Sequence, residues 1–133
     1  MRILVVESDR ATRQAYLRHL ERAGHVCHWS VTTRGAIDLI HHEQRYDLVL
    51  LSYELDGTLT GLEVAHYVAR VAKRSGISAP AIFLVAEQTR EEIVAHVAEN
   101  PLEGISFLFE RQQDESRLWA AVQRVADAVA RTE

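Results

Sequence analysis

Leu48-Val49-Leu50-Leu51 is a short, unbroken apolar run, preceded by Tyr46-Asp47 and followed by Ser52-Tyr53-Glu54-Leu55-Asp56-Gly57. A run of that length, closed by turn formers and lacking alternation, fits a strand buried on both faces at the centre of a parallel sheet. A parallel strand needs crossover connections on each side, so the run commits the rest of the chain to α/β alternation. In an open sheet of this kind, ligands and chemistry collect at the C-terminal ends of the strands. The residue at that end is Ser52.

The flanking sequence meets the requirement. Ile3 to Val6 reads as a first strand, and Ser8 or Asp9 is placed to cap a helix whose apolar stripe is Ala15, Leu17, Leu20 and Ala23, with Gly24 as its stop. Val26 to Ser30 is a shorter, more polar strand suited to a sheet edge. Thr32 or Thr33 opens a second helix carrying Ala36, Ile37, Leu39 and Ile40. The central strand spans about Asp47 to Ser52, and Asp56 to Gly61 forms a loop. Leu62, Val64, Ala65, Val68, Ala69 and Val71 then mark a third helix ending near Ser75-Gly76. Pro80 precedes a fourth strand, Ala81 to Val85, and a helix starting at Gln88 or Thr89 runs to Asn100-Pro101. Ile105 to Phe109 is the fifth strand, and Asp114 caps a last helix through Trp119, Val122, Val125, Ala126 and Val129. Five βα units follow one another over residues 1–133, with no linker or low-complexity tract between them. Their crossovers are expected to be right-handed.

Several function classes are disfavoured on composition. With 15 basic against 19 acidic residues and no basic block, nucleic-acid binding by this chain is not expected. The single cysteine, Cys27, excludes an internal disulfide and suits a reducing compartment. Glu7 arrives too early for a signal peptide, and no apolar stretch approaches the ~20 residues of a membrane span. A cytoplasmic location is the expectation.

In order and spacing, these motifs resemble the receiver domain of two-component response regulators over essentially the whole chain. The resemblance is carried by Ile3-Leu4-Val5-Val6-Glu7-Ser8-Asp9, Tyr46 to Leu51, Gly61-Leu62-Glu63-Val64, Pro80 to Ala86 and Gly104 to Phe109. It implies a flavodoxin-like (βα)5 fold, a doubly wound parallel five-stranded sheet of order 2-1-3-4-5. It also implies a site in which a strand-end aspartate accepts a phosphoryl group beside a divalent cation, a hydroxyl and a lysine. At the corresponding positions this chain carries Ser52 for the acceptor, Glu7 and Ser8 for the acidic pair, Val85 for the hydroxyl and Glu110 for the lysine, followed by Arg111. An acyl phosphate needs a carboxylate nucleophile, and a hard cation needs oxygen ligands that neutralise it. Glu7 keeps its charge, but the changes at Ser8, Ser52, Val85 and Glu110 together imply a degenerate pseudo-receiver, non-enzymatic and independent of aspartate phosphorylation.

Competing readings of the same residues are weaker. Ser52 lacks a Gly-x-Ser-x-Gly elbow and a histidine at a neighbouring strand end, so a polar strand cap is favoured over a nucleophile. Glu7, Glu54, Asp56 and Glu110 form an acidic rim, where weak magnesium or calcium binding, with Glu7 and Glu54 the candidate ligands, stands behind simple hydration. A receiver-like sensor of a cation or small anion at the strand ends is therefore the runner-up, and a flavodoxin-like enzyme a distant third. His25, Cys27 and His28 do not converge on a strand, and His41 and His42 end a helix, so zinc is not expected. Phe107 and Trp119 are candidates for an interaction surface, and Ala121, Ala128 and Ala130 widen the apolar surface of the last helix. The resemblance implies a homodimer or a protein partner on the face made by the fourth helix, fifth strand and fifth helix. It further implies that an output domain would attach after Arg131-Thr132-Glu133.

Overall fold

A computed structural model describes residues 1–43, 45–55, 61–96, 105, 107–110 and 115–132. The strands are β1 (Arg2–Val6), β2 (Val26–Ser30), β3 (Leu48–Ser52), β4 (Ala81–Ala86) and β5 (Phe107–Glu110). The helices are α1 (Arg10–Arg22), α2 (Thr33–Glu43), α3 (Gly61–Ser75), α4 (Arg90–His96) and α5 (Glu115–Thr132). All strand pairs are parallel, in the order β2-β1-β3-β4-β5. The strand order and class are those the sequence implies. β5 begins at Phe107, two residues later than expected, while Ile105 is half-buried against the core. The expected boundaries at Asn100-Pro101 and Asp114 lie outside the described residues.

Alternation along the strands divides the interior into two layers. Leu4, Val6, Val49, Leu51, Ile82 and Leu84 face one layer, which is closed by Ala36 and Ile40 of α2, Leu62, Ala65 and Val68 of α3, and Ile93 of α4. Ile3, Val5, Leu48, Leu50, Phe83, Val85 and Phe109 face the other, closed by Leu20 of α1 and by Leu118, Ala121 and Val122 of α5. Every residue of β3 is buried, as expected for a strand covered on both sides. β2 is the polar edge, with Val26 58% and Trp29 51% exposed.

Two expectations about α5 need correction. Ala121 is not part of a widened outer surface but lies in the core, because it falls three residues after Leu118 on the sheet-facing stripe. Trp119 is not on the face shared with α4: its ring stacks on His19 at 3.9 Å and meets Tyr16 edge-on at 5.7 Å, in the seam between α1 and α5. Ala128 and Ala130 are exposed.

α3 meets the end of β3 at Gly61, whose amide donates to the Tyr53 carbonyl at 3.0 Å. A Cβ here would fall 2.1 Å from the Ser52 carbonyl oxygen and 2.9 Å from Tyr53 Cα, so only glycine permits the approach. Gly76 ends the same helix at φ +65°, with no atom within 4 Å of the place a Cβ would take. We therefore expect Gly61→Ala to cost about 3 kcal/mol through overpacking against backbone, and Gly76→Ala about 1 kcal/mol through left-handed strain alone. Urea denaturation curves compare the two; equal midpoints would contradict the close-approach account.

Candidate functional site

The C-terminal ends of β1, β3, β4 and β5 bring together Glu7, Ser52, Val85 and Glu110. Ser52 is cross-strand partner to Val85, and Ala86 to Glu110. Strand pairing continues past β3 as the Tyr53 amide donates to the Val85 carbonyl at 2.9 Å. The Ser52 hydroxyl is buried and donates to the Glu54 carbonyl at 3.0 Å. That bond folds the strand end into the following turn, the role of a polar strand cap. Val85 is 1% exposed and packs in the α1–α5 layer.

The turn between β1 and α1 is the most constrained part of the site. Glu7 is 2% exposed; its amide donates to the Ser30 carbonyl at 3.0 Å, and its Oε2 accepts from the Asp9 amide at 3.3 Å. Asp9 is the N-cap of α1, its Oδ2 accepting from the Thr12 amide at 2.9 Å and from the Thr12 hydroxyl at 2.6 Å. This carboxylate is thereby used on the first turn of the helix. One turn later, Arg13 Nη1 donates to the Glu7 carbonyl at 3.1 Å and to the Ser8 carbonyl at 3.4 Å. Its guanidinium lies 4.8 Å from the centroid of Trp29 on β2.

Arg13 and Trp29 were not foreseen from the sequence. A large aromatic exposed on an otherwise polar edge strand was the available signal, since such a ring gains most from a cation laid across it. Their effect on the site is electrostatic. The guanidinium occupies the two carbonyls of the turn and places a fixed positive charge there.

A divalent cation does not fit this donor set. Glu7 brings a buried carboxylate to the turn, but Ser8 and Ser52 offer none, Asp9 is bonded to its own helix, and Arg13 repels a second positive charge. Glu54 is exposed, with Gln88 Nε2 at 3.5 Å from its Oε2. Among the described residues, no three His, Cys, Asp or Glu side chains are grouped as metal ligands.

Elsewhere, His28 Nδ1 pairs with the Tyr46 hydroxyl at 2.7 Å, and His25 Nδ1 with the N-terminal amine at 3.1 Å. Cys27 packs instead against the α1–α5 layer, on the face of β2 opposite His28. Burial first, then the charge of Glu21, pushes the Cys27 thiol up from 9.0 to about 11, with the N-terminal charge acting weakly the other way. About two units of elevation leave roughly 100-fold less thiolate near neutral pH. Alkylation of Cys27 by iodoacetamide should accordingly run about 100-fold slower than that of free cysteine; a rate near the free thiol's would show that β2 opens readily.

No protein-family model and no curated protein sequence matches the chain. Solved structures do. The N-terminal domain of a response regulator/sensory box/GGDEF protein from Carboxydothermus hydrogenoformans superposes with TM-score 0.76 at 16% identity, over 99% of this chain and 98% of that one. The response regulator TrrA from Thermotoga maritima, in complex with Mg(2+)-BeF, gives 0.71 at 22% identity, covering 93% of this chain and 97% of that one. A chemotaxis protein from Vibrio cholerae gives 0.71 at 20%, over 93% and 97% of the two chains. The chain thus has the receiver-domain fold of response regulators. No helix among the described residues is long and apolar enough to cross a membrane.

Proposed function

We propose that this chain is a receiver-like signalling module that acts by protein interaction, without aspartate phosphorylation and without an enzymatic activity of its own. The observation that carries the reading is Ser52. It stands at the end of the central strand beside Val85, with its hydroxyl bonded to the Glu54 carbonyl. A phosphate ester of serine is not an acyl phosphate, and the Ser52 hydroxyl is engaged with the backbone carbonyl of Glu54. The charge arrangement around it agrees: Arg13 replaces a cation at the β1–α1 turn, and Glu110 would repel an incoming phosphoryl group.

In this reading the module is cytoplasmic, and its conformation is set by a partner or by self-association rather than by phosphorylation. The proposed surface is the face of α4, β5 and α5, with Phe107 on the edge strand.

The direct test is intact mass after incubation with magnesium and acetyl phosphate, for the wild type and for Ser52→Asp. Neither protein is expected to gain a phosphoryl group, since restoring the acceptor leaves Arg13, Val85 and Glu110 in place. Uptake by the wild type would overturn the reading, and uptake by the variant alone would confine the defect to the acceptor. Sedimentation equilibrium tests the second element: we expect a concentration-dependent dimer weakened by Phe107→Ala. A strictly monomeric mass at every concentration would exclude the homodimer and leave a different protein as the partner.

A further inference from the structure

Beside the C-terminal ends of β4 and β5, a cleft of about 320 Å³ opens between α1 and α5. Its walls include Ala15 and Tyr16 of α1, Val85 and Phe109 of the sheet, and Leu118 of α5. The charged residues among its described lining are two acidic ones, Glu110 and Glu115, with no Lys, Arg or His. Small-molecule sites are typically concave and mostly apolar, with a few polar groups that fix orientation, and roughly 300 Å³ is the lower end of their range.

We infer that this cleft binds a small organic cation, a primary amine on an aromatic body. The walls select the body: Tyr16 and Phe109 supply ring surfaces, and Val85 and Leu118 supply aliphatic ones. The carboxylates select the charge. Two acidic residues on a largely hydrocarbon cleft disfavour an anion and favour a cation. Glu110 already has interactions of its own, but a carboxylate offers roughly four acceptor positions, so an ammonium can add to them. A bare metal ion is poorly matched to walls that are largely hydrocarbon. Glu115 opens α5, where its charge is also favoured by the helix N-terminus, so it is held at the mouth of the cleft at little cost.

This inference rests on the phosphorylation-independent reading, in which this end of the sheet is not reserved for phosphoryl chemistry. The test is titration of the whole chain with phenethylamine, followed by backbone amide NMR and calorimetry, with phenethyl alcohol and phenylpropionate as neutral and anionic counterparts. Saturable binding of the amine is expected, with shifts at residues 11–16, 85, 109–110 and 115–118. Glu110→Gln should weaken it about tenfold, the loss of one charge-assisted hydrogen bond. Ala15→Leu, at an exposed helix position, should fill the cleft and abolish binding without changing the thermal melt. Equal binding of the alcohol or the anion would overturn the assignment, as would shifts elsewhere, absence of saturation, or affinity unchanged in Glu110→Gln. The intact mass of the same sample after acetyl phosphate treatment keeps the two ideas apart: phosphoryl uptake sinks the functional reading, whereas failed amine binding sinks only the cleft.

Discussion

The burial of β3 on both faces is the constraint from which the site follows. Leu48, Val49, Leu50 and Leu51 leave water completely or nearly so, and burying each large aliphatic side chain contributes about 1.5–3 kcal/mol. Parallel pairing to β1 and β4 satisfies the backbone on both edges, so neither the register nor the facing of the strand can slip without exposing the whole set. Ser52 is the last residue of that register. Its position beside Val85 and above the Gly61 turn is therefore decided by apolar packing several residues away, and not by any chemistry of its own.

This explains which parts of the molecule were legible in the sequence. Buried parallel strands announce themselves as continuous apolar runs, and the five runs, with glycine and capping signals between them, led to the parallel sheet, while its strand order was implied by the resemblance to receiver domains. Residues at the strand ends were equally legible, because register transmits position directly. The errors fell on α5. Its alanines are too small and too frequent to mark a face, so Ala121 looked peripheral although it completes the Leu118–Val122–Val125 stripe. Trp119 lies one residue off that stripe, and only the packing of α1 decides which side it takes; that information sits in Tyr16 and His19, near the other end of the chain. Arg13 and Trp29 were missed for the same reason, since their meeting depends on how β2 and α1 dock.

In the proposed reading, the strand ends have lost the chemistry of a phosphoryl site and kept its shape. A hydroxyl bonded to a backbone carbonyl, a valine in the core and a carboxylate at half-burial replace groups that a phosphoryl site would need ionised, solvated and facing one another. Each replacement is satisfied locally. Ser52 has its carbonyl, Val85 its apolar layer, and Asp9 its helix end. Buried polar groups left without partners are expensive, so local satisfaction of this kind stabilises the strand ends as they stand.

In the proposed reading, α1 is the element that links the strand ends to the cleft behind them. Its first turn is held by the Asp9 cap, its fourth residue is bonded to the Glu7 and Ser8 carbonyls, and Leu20 anchors its far end in the core. Between these fixed points, the same helix presents Ala15 and Tyr16 to the cleft. A helix tethered at both ends moves as a body, so displacement on the cleft side must strain the Arg13 bonds or the Trp29 stack on the other. The cation–π contact contributes about 0.5–1 kcal/mol at an exposed site, and the guanidinium–carbonyl bonds somewhat more. Energies of that order match those by which two-state elements are commonly biased, about 1–3 kcal/mol. In the proposed reading, occupancy at α1 and the geometry of the β1–α1 turn are then linked through this one helix, with no phosphoryl group required between them.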